Sequence, residues 1–458
     1  MIPIPTLRTL LSRAAKRGAV RREGGRYFRV PGASAVGDIS AARDEIGREQ
    51  QQIAEGLVAF GAEHGLEIVT TDEALALLLD FLSRNHLALL LDVDPEFRDA
   101  TMIAASGRSF GSTEQRVVAR FIVVRCAPDP AFVEQLQRML EGFVLQNALF
   151  LRDIGQAARR FTDLTVYLDT GLVLETLGLK GDAAGLAARE SLDLLRETGA
   201  HVAVFAKTLD EIRRILHVYE IKLATADGIT SLYQTDLTRY VLRRRFSPSD
   251  IRQQMALLDS NVKGLGISIK PVPKRRFRHT LDEATLTQKL KRPYESDLDA
   301  RVVHDVDCVA AILTLRAGHT TRVLDDARAV FATTTGLVVK HSREWHVECG
   351  ETGVPPVLHQ LAISNIAWLK KPASAARLKL HELMALCSAA LAPSRQSWAR
   401  FIRHLRDLRD SGKMTSDEMV TVVVSEITDS ALSRFADDVD IDAIKRSVGG
   451  GRTRSRSI

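Results

Sequence analysis

The chain is short of cysteine, of long apolar runs and of net charge, and each shortage excludes something. Its four cysteines, Cys126, Cys308, Cys349 and Cys387, stand far apart in 458 residues with no CxxC pair. That excludes a disulfide framework and a cysteine zinc site, and it points to a reducing, cytoplasmic compartment. No apolar run approaches the roughly 18 residues that would cross a bilayer, so no membrane partner is expected. The stretch "MIPIPTLRTLLSRAAKRG" carries Arg and Lys through its apolar part. Charge is nearly balanced: 63 Lys and Arg against 57 Asp and Glu leave +6, which permits a polyanionic partner without demanding one.

Several familiar site signatures are missing too. There is no GxxxxGK[ST] loop, and "KGLGISIK", with Gly264 and Gly266, has too few glycines and no following helix for a dinucleotide site. The twelve histidines form no HExxH pair; His341 and His346, which flank Trp345, read as surface or packing residues. The acids of "ESDLDA" lack the glycine and terminal Glu of a calcium loop. No internal repeat is visible.

What is present is an ordinary globular composition, 45% hydrophobic and 26% charged. The length corresponds to about three domains at roughly 150 residues each. Residues 1–160 read as a mostly helical accessory region. At 5–30, a helix followed by a basic hairpin hinged at Gly24 and Gly25 looks like a winged-helix fragment. Long helices are predicted over "DISAARDEIGREQQQIAEGLVAFGAEHG" and "TTDEALALLLDFLSRNH", the latter capped by Thr70 or Thr71. A strand is predicted at "RFIVVRCA", and a further helix after Pro130.

The texture then changes. "LTVYLD" and "HVAVFA" are apolar runs separated by two helical segments, and "AVFATTT" follows another helix, "VHDVDCVAAILTLRAGH". Strands that are apolar on both faces and joined by helices imply a parallel α/β sheet. Residues 351–445 read as helical, with Trp368 and Trp398 as core residues, and the Gly, Ser and Arg tail at 446–458 as disordered.

Ligands of parallel sheets bind beyond the carboxyl ends of the strands. Asp169 ends "TVYL", Glu211 follows "HVAVFA", and Asp305 and Asp307 precede "AVFATTT". Taken singly, each could be a capping acid or a first-turn acid. Taken together, they could converge on one sheet edge and share a hard divalent cation such as Mg2+ or Mn2+. Helical phase puts Asp305 on a stripe with Cys308, Val309 and Ile312, and so favours it over Asp307 as a ligand.

These motifs, in this order, resemble the PIN-like family of metal-dependent nucleases over residues 163 to about 345. Leu168 to Leu174 match its first strand end, and Thr208, Glu211 and Leu216 match its second-strand motif. "HDVDCVAAI" matches its later acidic helix, and "AVFATTTG" the strand after it. The resemblance implies an α/β fold with a central parallel sheet between helical N-terminal and C-terminal regions. It implies Asp169, Glu211 and Asp305 as metal ligands, with Asp307 beside them. Thr335 stands where the family has a fourth acid or amide. The centre, taken as 161–350, carries an insertion at about 222–300.

That insertion is basic, with Arg239, Arg243, Arg244, Arg245, Lys270, Lys274, Arg275, Arg276, Arg278, Lys289, Lys291 and Arg292, and with Tyr240, Phe246 and Phe277 as candidate stacking rings. The expectation is a cytoplasmic nuclease acting on RNA or single-stranded DNA, in defence or nucleic-acid turnover. Its helical regions would be available to a protein partner or a second copy. The alternative is a catalytically inactive PIN-like protein that binds nucleic acid or regulates.

Overall fold

The computed structural model describes residues 11–30, 40–86, 112–148, 160–274, 283–291, 299–371 and 377–424, apart from a few positions within these ranges. Strands β1 (Val20–Glu23) and β2 (Arg26–Arg29) form the expected antiparallel hairpin, turning through Gly24 at φ 54°. Residues 5–10 of the winged-helix reading lie outside the described residues.

Four helices follow: α1 (Ser40–Glu63), α2 (Thr71–His86), α3 (Ser112–Cys126) and α4 (Pro130–Ala148). The Thr70 hydroxyl caps α2, accepting from the Glu73 N–H at 3.1 Å. "RFIVVRCA" is not a strand but the second half of α3. Val118, Phe121 and Ile122 recur at helical spacing and are buried against Leu57, Phe81 and Leu136, so bundle packing overrides their β propensity.

The centre is an α/β body. Strand β3 (Thr165–Leu168) leads through α5 (Thr170–Thr176) and α6 (Asp182–Glu197) to β4 (His201–Phe205) and α7 (Ala206–Lys222). The basic stretch then contributes α8 (Ala226–Thr230), α9 (Asp236–Arg243), α10 (Pro248–Gly264), the short strand β5 (Ser268–Lys270) and α11 (Glu283–Leu290). Helix α12 (Asp299–Arg316) returns the chain to β6 (Ala329–Thr333), followed by α13 (Gly336–Glu348), β7 (Val357–His359) and α14 (Gln360–Lys370).

All neighbouring strands are parallel, in the order β5-β4-β3-β6-β7. Three of the five were expected from their apolar runs; all five residues of β6, for example, are buried. The two edge strands are three residues long and give no periodic signal. Strand β7 also carries the sheet past residue 350, into the region expected to be helical. The chain first extends the sheet from β3 towards β5, then crosses back to β6. This reversal makes the carboxyl end of β3 a topological switch point, where open α/β sheets bind ligands.

The last helices, α15 (Leu378–Ala390), α16 (Arg395–Asp410) and α17 (Ser416–Val423), do not form a separate core. Trp368, Trp398, Phe401 and Met419 share one apolar cluster with Val166, Val204 and Leu258 of the α/β body. Leu383 and Cys387 of α15 belong instead to the cluster of α1–α4. The opposite face of the sheet is covered by α12 and α13, with Tyr167, Phe205 and Phe331 of the strands and Trp345 of α13 buried in one cluster there. Among the described residues no helix is long and apolar enough to cross a membrane.

Candidate metal centre

Asp169 is the first residue past β3. Its N–H donates to the Ala332 carbonyl of β6 at 2.9 Å, which anchors it to the sheet. One carboxylate oxygen, Oδ1, accepts from the Thr170 N–H at 2.7 Å and so caps α5, while Oδ2 accepts from the Thr333 hydroxyl at 2.6 Å. Asp169 is therefore a helix cap and a member of an acidic cluster at once.

Glu211 and Asp305 come from the helices that follow β4 and precede β6. Both lie inside their helices: α7 begins at Ala206 and α12 at Asp299. The first-turn and capping alternatives for Glu211, Asp305 and Asp307 are thereby replaced by positions inside the helices past the first turn, and of these Glu211 and Asp305 face the sheet edge. The Thr170 hydroxyl donates to Glu211 Oε2, joining the second acid to the loop of the first.

The centre of the cluster is a residue that sequence reasoning passed over. His304 is completely buried, with Nδ1 3.2 Å from Glu211 Oε2 and 3.2 Å from Asp305 Oδ1. Its Nε2 lies 2.9 Å from the Thr208 hydroxyl and 3.5 Å from Cys308 Sγ. We assign the proton to Nδ1, facing the carboxylates, with the Thr208 hydroxyl donating to Nε2. A signal for His304 did exist in "HDVDC": it adjoins Asp305 and sits one helical turn before Cys308. HExxH spacing could not reveal it, because its partners lie far away in sequence.

Ligand atoms of Asp169, His304 and Asp305 all lie within 4.8 Å of one another, close enough for one cation to bind all three. Burial dominates the electrostatics. It pushes Asp169 up to about 6, helped by the charge of Asp305 and opposed by the Thr333 hydrogen bond and His304. It pushes Asp305 up to about 7 against the pull of Arg301. Glu211 is raised mainly by burial, with His304 and the Thr170 hydrogen bond opposing. His304 is lowered, because burial outweighs the attraction of Glu211 and Asp169. A site that resists its own negative charge in this way is one that a divalent cation would relieve.

The other expected site residues lie elsewhere. Asp307 forms an ion pair with Lys207. Thr335 is exposed at the start of α13, and only its N–H points inward, donating to Thr333 Oγ1 at 3.0 Å. Thr333, two residues earlier and fully buried, is the hydroxyl that touches the cluster. Arg243, Arg244 and Arg245 are exposed in a row at the end of α9, with Arg244 stacked 5.6 Å over the Tyr240 ring and 3.4 Å from Asp182. Lys274 is exposed, and Arg275, Arg276, Arg278, Arg292 and Phe277 lie outside the described residues. Tyr240 and Phe246 meet edge to face at 5.8 Å and pack against the core, so these rings serve the fold and do not stand ready to stack on bases. Comparison of the chain with family models, curated proteins and solved structures finds no match.

Proposed function

We propose that the chain is a PIN-like, divalent-metal-dependent nuclease that hydrolyses phosphodiester bonds of RNA or single-stranded DNA. The observation that carries this reading is the convergence of Asp169, His304 and Asp305 within 4.8 Å at the switch point of a parallel sheet. The donor set fits Mg2+ or Mn2+: it is rich in carboxylate oxygens, and the one imidazole tilts it towards Mn2+. Asp169, Asp305 and His304 would hold the ion, the Thr208 hydroxyl at His304 Nε2 would orient the ring from behind, and Glu211 stands beside the ligating nitrogen. With a cation at Nδ1 the ring proton would reside on Nε2, where the Thr208 oxygen can accept it.

When bound, the ion supplies Lewis-acid polarisation of a phosphodiester and lowers the pKa of a nearby water. The protein's own contribution is positioning. Thr333 and Thr170 fix the two oxygens of Asp169 and one oxygen of Glu211, and the apolar floor of β3 and β6 excludes bulk water. Exposed Arg243, Arg244 and Arg245 offer contacts to a phosphate backbone.

The test is cleavage of single-stranded RNA and DNA oligonucleotides with Mn2+ or Mg2+, comparing wild type with Asp169→Asn. The expected result is a loss of at least about 100-fold in rate with oligonucleotide binding retained. Equal inactivity of both proteins on every substrate overturns the enzyme. One observation favours a second reading, an inactive PIN-like binding protein: Thr170, Thr333 and His304 already satisfy the carboxylates by hydrogen bonds. Retained oligonucleotide binding without cleavage by the wild type would select that reading.

A further inference from the structure

The positive charge of the chain is concentrated in one stretch. Residues 1–30 hold eight Arg and Lys and one Glu, a net +7 against +6 for the whole molecule, so all the other residues together come to −1. A block of one charge sign marks a surface for a polyanion. The β1–β2 hairpin lies in this stretch, and no residue of 11–30 belongs to any of the three apolar clusters of the described residues. Its side chains are therefore not committed to those cores.

The two faces of the hairpin differ. On one, Tyr27 is partly buried: its hydroxyl lies 3.2 Å from Ser12 Oγ, and the Arg22 guanidinium sits 5.7 Å over its ring. Successive residues of a strand alternate, so Phe28 stands on the other face, where it is 44% exposed. Arg21 is directly opposite Phe28 in the ladder and exposed Arg26 is two residues before it, so both share its face. Glu23, the one acid there, pairs with Arg21 at 3.0 Å, but both side chains are more than half exposed, and such a pair holds its cation only weakly. An aromatic ring between two cations is thus left open to solvent.

We propose that this face of the β1–β2 hairpin binds single-stranded nucleic acid, with an unpaired base stacked on Phe28 and with Arg21 and Arg26 on the flanking phosphates. Charge alone would suit any polyanion; the exposed ring between the cations selects one that carries free base faces, which a duplex keeps stacked on one another. The site is separate from the metal centre and does not depend on that reading.

The experiment follows the anisotropy of a labelled oligothymidylate as it binds the full chain across a salt series in metal-free buffer. Phe28→Ala should weaken binding about tenfold without changing the salt slope. The double variant Arg21→Gln, Arg26→Gln should reduce the slope by about 1.4, or about 0.7 for each single-strand phosphate contact. Phe28→Trp should keep wild-type affinity. Its added indole is exposed, whereas Trp345, Trp368 and Trp398 are buried, so base stacking should quench the added emission as the oligonucleotide binds. Quenching at wild-type affinity is a result that a merely damaged hairpin does not give. Wild-type affinity in Phe28→Ala, or unquenched emission in Phe28→Trp, overturns the stacking site, and an unchanged slope in the double variant overturns the phosphate contacts. Tighter binding to a blunt duplex, or equally tight binding to polyglutamate or to phosphatidylserine vesicles at the same salt, overturns the single-strand assignment. Because no metal is present, failure of Mn2+-dependent cleavage bears on the metal centre alone.

Discussion

Asp169 spends one carboxylate oxygen on the Thr170 N–H and the other on the Thr333 hydroxyl, yet burial still holds it at about 6 and its neighbour Asp305 at about 7, against 3.8 for a free Asp. The folded state therefore binds these protons more tightly than the unfolded chain. The site's contribution to stability is whole below about pH 4 and is lost as pH rises through 6 and 7. The thermal midpoint of metal-free Asp305→Asn should match wild type near pH 4 and exceed it by pH 8, with added Mn2+ restoring the wild type at the higher pH. A gap that does not change with pH would count against this electrostatic account. Asp169 was legible because an acid directly after an apolar strand needs a partner. The fourth position was not: the alignment of "ATTTG" pointed to Thr335, whereas β6 ends at Thr333, whose hydroxyl meets Asp169, and Thr335 lies beyond the strand as the exposed residue before α13.

Helix α12 shows how an element sets the site. Near its start it carries His304 and Asp305, and at its end Arg316 is buried with its guanidinium donating to the carbonyls of Ala329 at 2.8 Å, Val354 at 2.6 Å and Pro355 at 2.9 Å. This fork ties the helix to the first residue of β6 and to the segment entering β7, so the strand ends and the acidic cluster are placed by one rigid piece. Arg316→Met should lower unfolding free energy by roughly 3–5 kcal/mol, since it strands three buried carbonyls, as read by denaturant titration. A loss below about 1 kcal/mol would mean that water replaces the fork. At this scale the apolar runs of β3, β4 and β6 and the helices between them were readable. The α3 segment and the strands β5 and β7 were not. Four to eight apolar residues do not separate helix from strand without their neighbours, and three residues carry no period at all.

Across the whole molecule, α15 joins two cores. Leu378 packs with the α/β body, while Leu383 and Cys387 pack with α1–α4. All three tryptophans, Trp345, Trp368 and Trp398, are buried in the α/β side, so their fluorescence reports on that side while far-UV circular dichroism reports on both. In wild type the two signals should unfold together. Leu383→Ala should cost about 2–5 kcal/mol and move the dichroism transition ahead of the fluorescence one, because the cavity weakens the helical front first. Coincident, unshifted transitions would show that α15 does not couple the two parts.

The sequence alone determined the elements whose signal is local: the apolar strands, the periodic helices, and Asp169 at a strand end. Only the tertiary structure decided which acids meet, that His304 sits among them, and that Asp307 and Thr335 face elsewhere. The physical reason is that these contacts join residues far apart in the chain, and their geometry depends on strand order and helix phase, which no short window contains.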